Sequence, residues 1–314
     1  MRRPARLLIG VLVSGVLAAC SSGTSDQVVA PIGEVPPVAV PAAPVDPGPP
    51  AAVDPPAPAV APVLPTAPPP PPPEPPPPAA APAWVVGASP LPLRPDGFGE
   101  VLPTPRVLRD RRLPTLDLLP PPVEGRFAGT VGPVTPDLRE RMGETWSPAC
   151  PVALADLRYL TVSFRGFDGR PHTGELVVAA SVADDIVGVF RALYEAGLQI
   201  EEMRLPTTAD LRAAPTGDGN NTAAYVCRTA RGQTKFSQHA YGTAVDINPF
   251  HNPLARRDLV IPELASAYTD RSDVRPGMHV DRGPAVRAFR AIGWTWGGTW
   301  RSSKDWMHFS LTGD

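Results

Sequence analysis

Apolar and polar positions alternate from Leu157 to Phe164, break at Gly166-Phe-Asp-Gly169, and resume from Gly174 to Ala179. Period two on both sides of a glycine-bounded turn predicts a β-hairpin. Ile186, Val189, Phe190 and Leu193 then recur at helical spacing, with Ser181 placed to cap the start and Gly197 to end it, so a helix is expected through Ala196. A short helix is expected over Pro136 to Met142, with Thr135 as N-cap, Pro136 at the first position and Asp137 favouring the dipole. Another is expected from about Pro284 to Ile292, with Ala285, Val286 and Phe289 inward and Gly293 closing it. Gln199 to Met203 reads as a further strand, Asp210 to Arg228 as a polar loop over the site, and the stretch after Pro249 as irregular. The predicted fold class is α+β: a small antiparallel sheet with flanking helices in one domain over residues 125–314.

Within that domain, Ser237 to Pro249 cannot be a regular helix, because Gly242 and Pro249 flank a β-branched core. A loop running into a short strand fits. Val245 and Ile247 then share one face, while Ala244, Asp246 and Asn248 share the other, so Asp246 projects away from the core. Of the tryptophans near the end, Trp294, Trp296, Trp300 and Trp306 are expected more in core than in cleft.

Composition changes the picture of the first third. Of 314 residues, 46 are proline, and most of residues 21–95 are Pro, Ala and Val without hydrophobic period. Such a stretch cannot bury a core and favours polyproline II; some 65 residues at about 3.1 Å each reach on the order of 200 Å, so a disordered tether is expected there. Residues 96–124, interrupted by Pro103, Pro105, Pro114 and Pro120 to Pro122, are expected to be an irregular transition. Residues 1–20 have the order of an export signal: Arg2, Arg3 and Arg6, then an apolar run, then Leu17-Ala-Ala-Cys20. That ending resembles the bacterial lipobox, which implies lipid on Cys20 and a protein anchored to the outer face of the cell membrane and reaching into the wall. Cys150 and Cys227 remain as an even pair in an exported chain, where a disulfide between them is expected. A net charge of -2 gives no reason to expect nucleic acid as a partner.

The chemistry gathers in two stretches. Three protein ligands and one open position make a hydrolytic zinc site, and His239, Asp246 and His308 supply suitable N and O donors. His172, His251 and His279 are expected to be ordinary surface or hydrogen-bonded histidines.

Ser-x-His-x-x-Gly-x-Ala-x-Asp at Ser237, His239, Gly242, Ala244 and Asp246, followed by Asp-x-x-His at Asp305 and His308, resembles the zinc peptidases that cut D-amino-acid bonds in peptidoglycan. These include the D-alanyl-D-alanine carboxypeptidases and dipeptidases of vancomycin resistance and the L-alanyl-D-glutamate endopeptidases of phage endolysins. The resemblance covers roughly residues 125–314. It implies a hedgehog/DD-peptidase-like fold, one Zn2+ on His239, Asp246 and His308, and Asp305 as general base. Relatives often carry Glu at the base position, and Asp305 places the chain nearer the endolysin-like branch. Family members also place an arginine upstream of the first histidine, which makes Arg228 the candidate partner for negative charge; a surface arginine is the alternative. Ser237, Gln238 and Tyr241 are candidate substrate contacts. On an ideal strand residues three apart face opposite sides, so Asp305 is expected on the loop entering the last strand, with Trp306 and His308 inside it.

The expected partners are peptidoglycan stem peptides, met by a monomer; carboxypeptidase and endopeptidase action both stay open. A zinc-containing wall-binding module without catalysis is the rival reading, and a hydrolase built on Ser237 and His239 a poorer third.

Overall fold

A computed structural model describes residues 84–230 and 234–313. The expected signal segment, the lipid-bearing Cys20 and the tether up to residue 83 lie outside the described residues.

The chain is α+β, built from short antiparallel sheets and few helices. In order, the strands are β1 (Gly129–Pro133), β2 (Leu157–Arg165), β3 (Pro171–Ala179), β4 (Glu202–Met203), β5 (Asn221–Thr222), β6 (Ala244–Asp246), β7 (Leu254–Arg256), β8 (Leu259–Ile261), β9 (Thr295–Trp296), β10 (Lys304–Asp305) and β11 (His308–Ser310). The helices are α1 (Pro136–Met142), α2 (Ala183–Glu195), α3 (Thr208–Arg212) and α4 (Pro284–Ala291). Three three-stranded antiparallel sheets have the orders β1-β2-β3, β10-β7-β8 and β6-β11-β9, and β4 pairs parallel to β5. None of the described helices is long and apolar enough to cross a membrane.

The long hairpin forms as its alternation predicts, with Leu157 opposite Ala179 and Arg165 opposite Pro171. Leu160, Val162, Leu176 and Val178 are buried under α2, whose Ile186, Val189, Phe190 and Leu193 face them. Each such side chain contributes about 1.5–3 kcal/mol by leaving water. The same core takes in Val245 of β6, Ile247 just after it and Phe309 of β11, with Phe289 of α4 stacked on Phe309 at 4.2 Å between ring centroids. Thr135 caps α1 as expected, accepting from the Leu138 N–H at 3.3 Å.

Several expectations need correction. Ser181 does not cap α2: a 3-10 turn over Ala180–Val182 intervenes, and Val182 occupies the cap without a side-chain bond. Residues 210–228 are not a loop over the site, because Asn220, Thr222, Ala224 and Tyr225 are buried in the body of the domain. The stretch after Pro249 is not irregular throughout. Leu-Ala-Arg and Leu-Val-Ile form the β7–β8 hairpin, turning at Arg257 with φ 55°.

The packed body also begins well before residue 125. Trp84 donates through Nε1 to Asp218 at 2.9 Å, and Leu91, Leu108 and Leu113 join a cluster with Phe250, Leu264, Tyr268 and Met278. Arg111 is fully buried, donating through Nε (2.8 Å) and Nη2 (2.6 Å) to Glu201 and through Nη1 to the Asp218 carbonyl at 2.7 Å. Proline does stop residues 96–124 from forming long elements, and the two described there are 3-10 turns. Yet irregular backbone anchored by buried side chains is still folded. We call residues 84–113 the strap.

Cys150 and Cys227 are bonded, closing a separation of 77 residues with Cα atoms 5.9 Å apart.

Candidate metal centre and active site

His308 and Asp246 are directly opposite in the β6–β11 ladder, so their side chains share one face about 5 Å apart at Cβ. Val245 and Phe309, also paired, point the other way into the core. This alternation turns two polar residues toward the cleft while their neighbours hold the strands down. His239 enters from the 3-10 turn Gln238–Tyr241. The Ser237 hydroxyl accepts from the His239 N–H, and Gly242 at φ 67° closes the turn in a left-handed conformation.

The three side chains converge. His239 Nε2 lies 3.1 Å from one Asp246 oxygen and His308 Nδ1 3.0 Å from the other. One donor atom from each lies within 4.8 Å of the others. His239 Nδ1 sits 2.5 Å from the Ala224 carbonyl oxygen, which can only accept, so the proton belongs on Nδ1 and the Nε2 lone pair is aimed at the cluster. Burial disfavours the Asp246 carboxylate, but His239 and His308 outweigh it and hold its pKa well below the usual range. Two imidazoles and an ionised carboxylate, one imidazole oriented through its far nitrogen, form a donor set that fits a divalent zinc-like ion.

Asp305 comes from a different sheet. It ends β10 and pairs with Leu254 of β7, while β11 begins three residues later. The expectation of a loop residue entering one strand, with Trp306 inside that strand, is therefore corrected: Asp305 and His308 lie on separate strands, so opposite-face alternation does not keep them apart. Asp305 Oδ1 is enclosed and makes no hydrogen bond. Burial and the nearby Asp246 charge push its pKa up, offset in part by His308 and Arg228. A carboxyl so placed takes up a proton far more readily than a surface aspartate.

Around these groups lies a cleft of ≈ 390 Å³. Arg228, Ser237 and Gln238 line it, as does Lys235, which was not singled out from sequence; Trp300, expected in the core, lines the cleft instead. Arg228 follows the bridged Cys227, Thr229 next to it bridges Phe236, and Ser237 N–H donates to the Arg228 carbonyl at 3.1 Å. Tyr241 does not reach the cleft. It lines a separate depression with Pro151, Ala180 and Thr243, because the tight turn carries position 241 away from the side that holds His239. Trp294, Trp296 and Trp306 are core residues. His172 bonds Asp117 and Asp168, His251 bonds the Arg111 carbonyl, and His279 packs against Phe309, so none joins the cluster.

The cleft wall opposite in chemistry to the charged groups was not anticipated. Phe98 of the strap and Leu254, Leu259 and Ile261 of the β7–β8 hairpin line it. Leu254 to Ile261 carries half of a hairpin signal, a β-prone Leu-Val-Ile after the polar pair Arg257-Asp258. Phe98 has no comparable signal, being one aromatic in a proline-rich stretch.

Residues 231–311 match a family model described as D-alanyl-D-alanine carboxypeptidase. The match supports a peptidase, and it contains His239, Asp246, Asp305 and His308 while leaving Arg228 and the strap outside. No curated protein and no solved structure matches the chain.

Proposed function

We propose that the protein is a zinc-dependent peptidase that hydrolyses peptidoglycan stem peptides. The observation that carries this reading is the convergence of His239, Asp246 and His308 beside the enclosed carboxyl of Asp305. His239 through Nε2, Asp246 through its carboxylate and His308 through Nδ1 would hold the ion, and Gln238 and Ser237 flank it. Zinc bound there supplies a water activated near neutral pH and a Lewis acid for the scissile carbonyl.

The chain's own residues do the rest. Asp305 takes the proton from the attacking water and delivers it to the leaving amine, a role suited to a carboxyl whose pKa burial has raised. Arg228 offers positive charge to the developing oxyanion or to a carboxylate of the substrate. The disulfide agrees with an oxidising compartment, and with the expected lipid on Cys20 the protein works outside the membrane within reach of the wall.

The test is zinc content of the purified full-length protein together with mass spectrometry of products from defined muropeptides. About one zinc per chain and cleavage at a single amide are expected, with both lost in Asp246→Ala. Hydrolysis undiminished in metal-free protein would sink the reading.

A further inference from the structure

The cleft floor continues past Asp305 along a row of paired residues. In the sheet ordered β10-β7-β8, Asp305 is opposite Leu254 and Leu254 is opposite Ile261. Directly opposed residues share a face, so Asp305, Leu254 and Ile261 form one line across three strands. Arg256 and Leu259 form the next line on that face, with Arg256 exposed at its rim. Strands lie about 4.8 Å apart, which makes the Asp305-to-Ile261 row roughly 10 Å long, about three residues of extended peptide.

Phe98 closes this floor from the strap. The turn that carries it is set by the Phe98 carbonyl accepting from Arg94 N–H at 2.7 Å and the Arg94 carbonyl accepting from Gly97 N–H at 2.9 Å. It is pinned at both ends of β8. Arg94 pairs with Asp258 in the hairpin turn at 3.0 Å, and Gly99 N–H donates to the buried Glu263 carboxylate at 3.0 Å. The wall thus comes from chain outside the matched segment, yet it is held on the sheet that carries Asp305.

We propose that Phe98, with Leu254 and Ile261, is a specificity-determining subsite that takes an apolar substrate side chain within two residues of the scissile bond. This rests on the hydrolase reading above. The apolar floor of Leu254 and Ile261 and the aromatic wall of Phe98 remove such a side chain from water, whereas a charged one seated on these three side chains would be desolvated without a partner among them.

The experiment uses zinc-loaded full-length protein and two peptide substrates differing only in the residue two positions from the cleaved bond, leucine in one and serine in the other. Wild type is expected to prefer the leucine peptide about tenfold in kcat/KM. Phe98→Ala should bring that preference to within about threefold, chiefly through KM of the leucine peptide, while Phe98→Leu retains most of it. Ile261→Ser tests the floor independently of the strap and should reduce the same ratio. An unchanged ratio in both Phe98→Ala and Ile261→Ser, with cleavage intact, overturns the subsite alone. A wild type that cleaves neither these peptides nor muropeptides overturns the hydrolase reading and this inference with it.

Discussion

Two small sheets divide the work of this site, and they are held in different ways. The sheet β6-β11-β9 presents His308 and Asp246, and its reverse face is locked by Val245, Ile247 and Phe309, all fully buried in the main core. The sheet β10-β7-β8 presents Asp305 and the apolar floor, and its outer neighbour is the strap, anchored by Arg94, Gly99 and the buried Arg111. The His239, Asp246 and His308 cluster is therefore rigid by packing, while Asp305 and the apolar floor lie in a sheet whose outer neighbour is held by polar anchors far away in sequence. Metal retention and turnover should be separable by mutation.

The strongest test of that separation is Asp305→Ala. It should lower kcat by about 10²–10⁴ while zinc stoichiometry stays at wild-type level. Loss of the metal together with activity would show that the two sheets are not independent, and full activity would remove Asp305 from the chemistry.

Arg111→Ala tests the strap. It leaves the Glu201 carboxylate buried without its guanidinium, which should cost about 3–5 kcal/mol in denaturant unfolding. Turnover of the folded protein should fall before metal is lost; a stability change within error would show that the strap is not latched by this pair.

Reduction of Cys150–Cys227 should cost about 2–5 kcal/mol, because the bridge restricts a long loop in the unfolded chain. As Cys227 directly precedes Arg228, KM should rise in the reduced protein while zinc is retained. Equal denaturant midpoints with and without reductant would refute this.

The mildest effect expected is on pH. Burial pushes His251 and His279 each down to about 3, so both stay neutral in the folded state. The unfolded chain takes up these protons below about pH 6.5, so the contribution is fully present above that pH and is lost as pH falls toward 3. At pH 5 the loss is about 2 kcal/mol for each ring. His279→Leu should flatten the slope of unfolding free energy between pH 5 and 6.5 by about one proton, and an unchanged slope would contradict it.

The sequence made some of this legible and hid the rest for physical reasons. His239, Asp246, Asp305 and His308 stood out because metal chemistry demands particular residue types at spacings that loops and short strands can bring together. The long hairpin, α2 and α4 followed from periodicity, because their apolar faces meet one core, and α1 followed from its Thr135 cap and Pro136. Asp305 was assigned to the wrong kind of element since two adjacent strands of different sheets, two and three residues long, carry no period. Tyr241 was misassigned because closeness to His239 in sequence does not tell which side of a tight turn a residue faces, and the turn sets Tyr241 in the depression with Pro151 and Thr243. The strap was hidden by composition: proline suppresses regular elements, and it says nothing of whether Leu108 or Arg111 finds a partner across the fold.

Gly242 is the point at which the long hairpin touches the turn that carries His239. Its carbonyl accepts from Ala179 N–H at 2.9 Å, and a Cβ built on it would stand 2.4 Å from that same nitrogen. The gap between the end of β3 and the His239 turn is thus the thickness of bare backbone. Metal–ligand distances tolerate only about 0.2 Å of drift. A substituent at 242, or any loosening of the last residues of β3, would be felt as misalignment of His239 before the apolar core registers it, making ion affinity a more sensitive gauge of this scaffold than melting temperature.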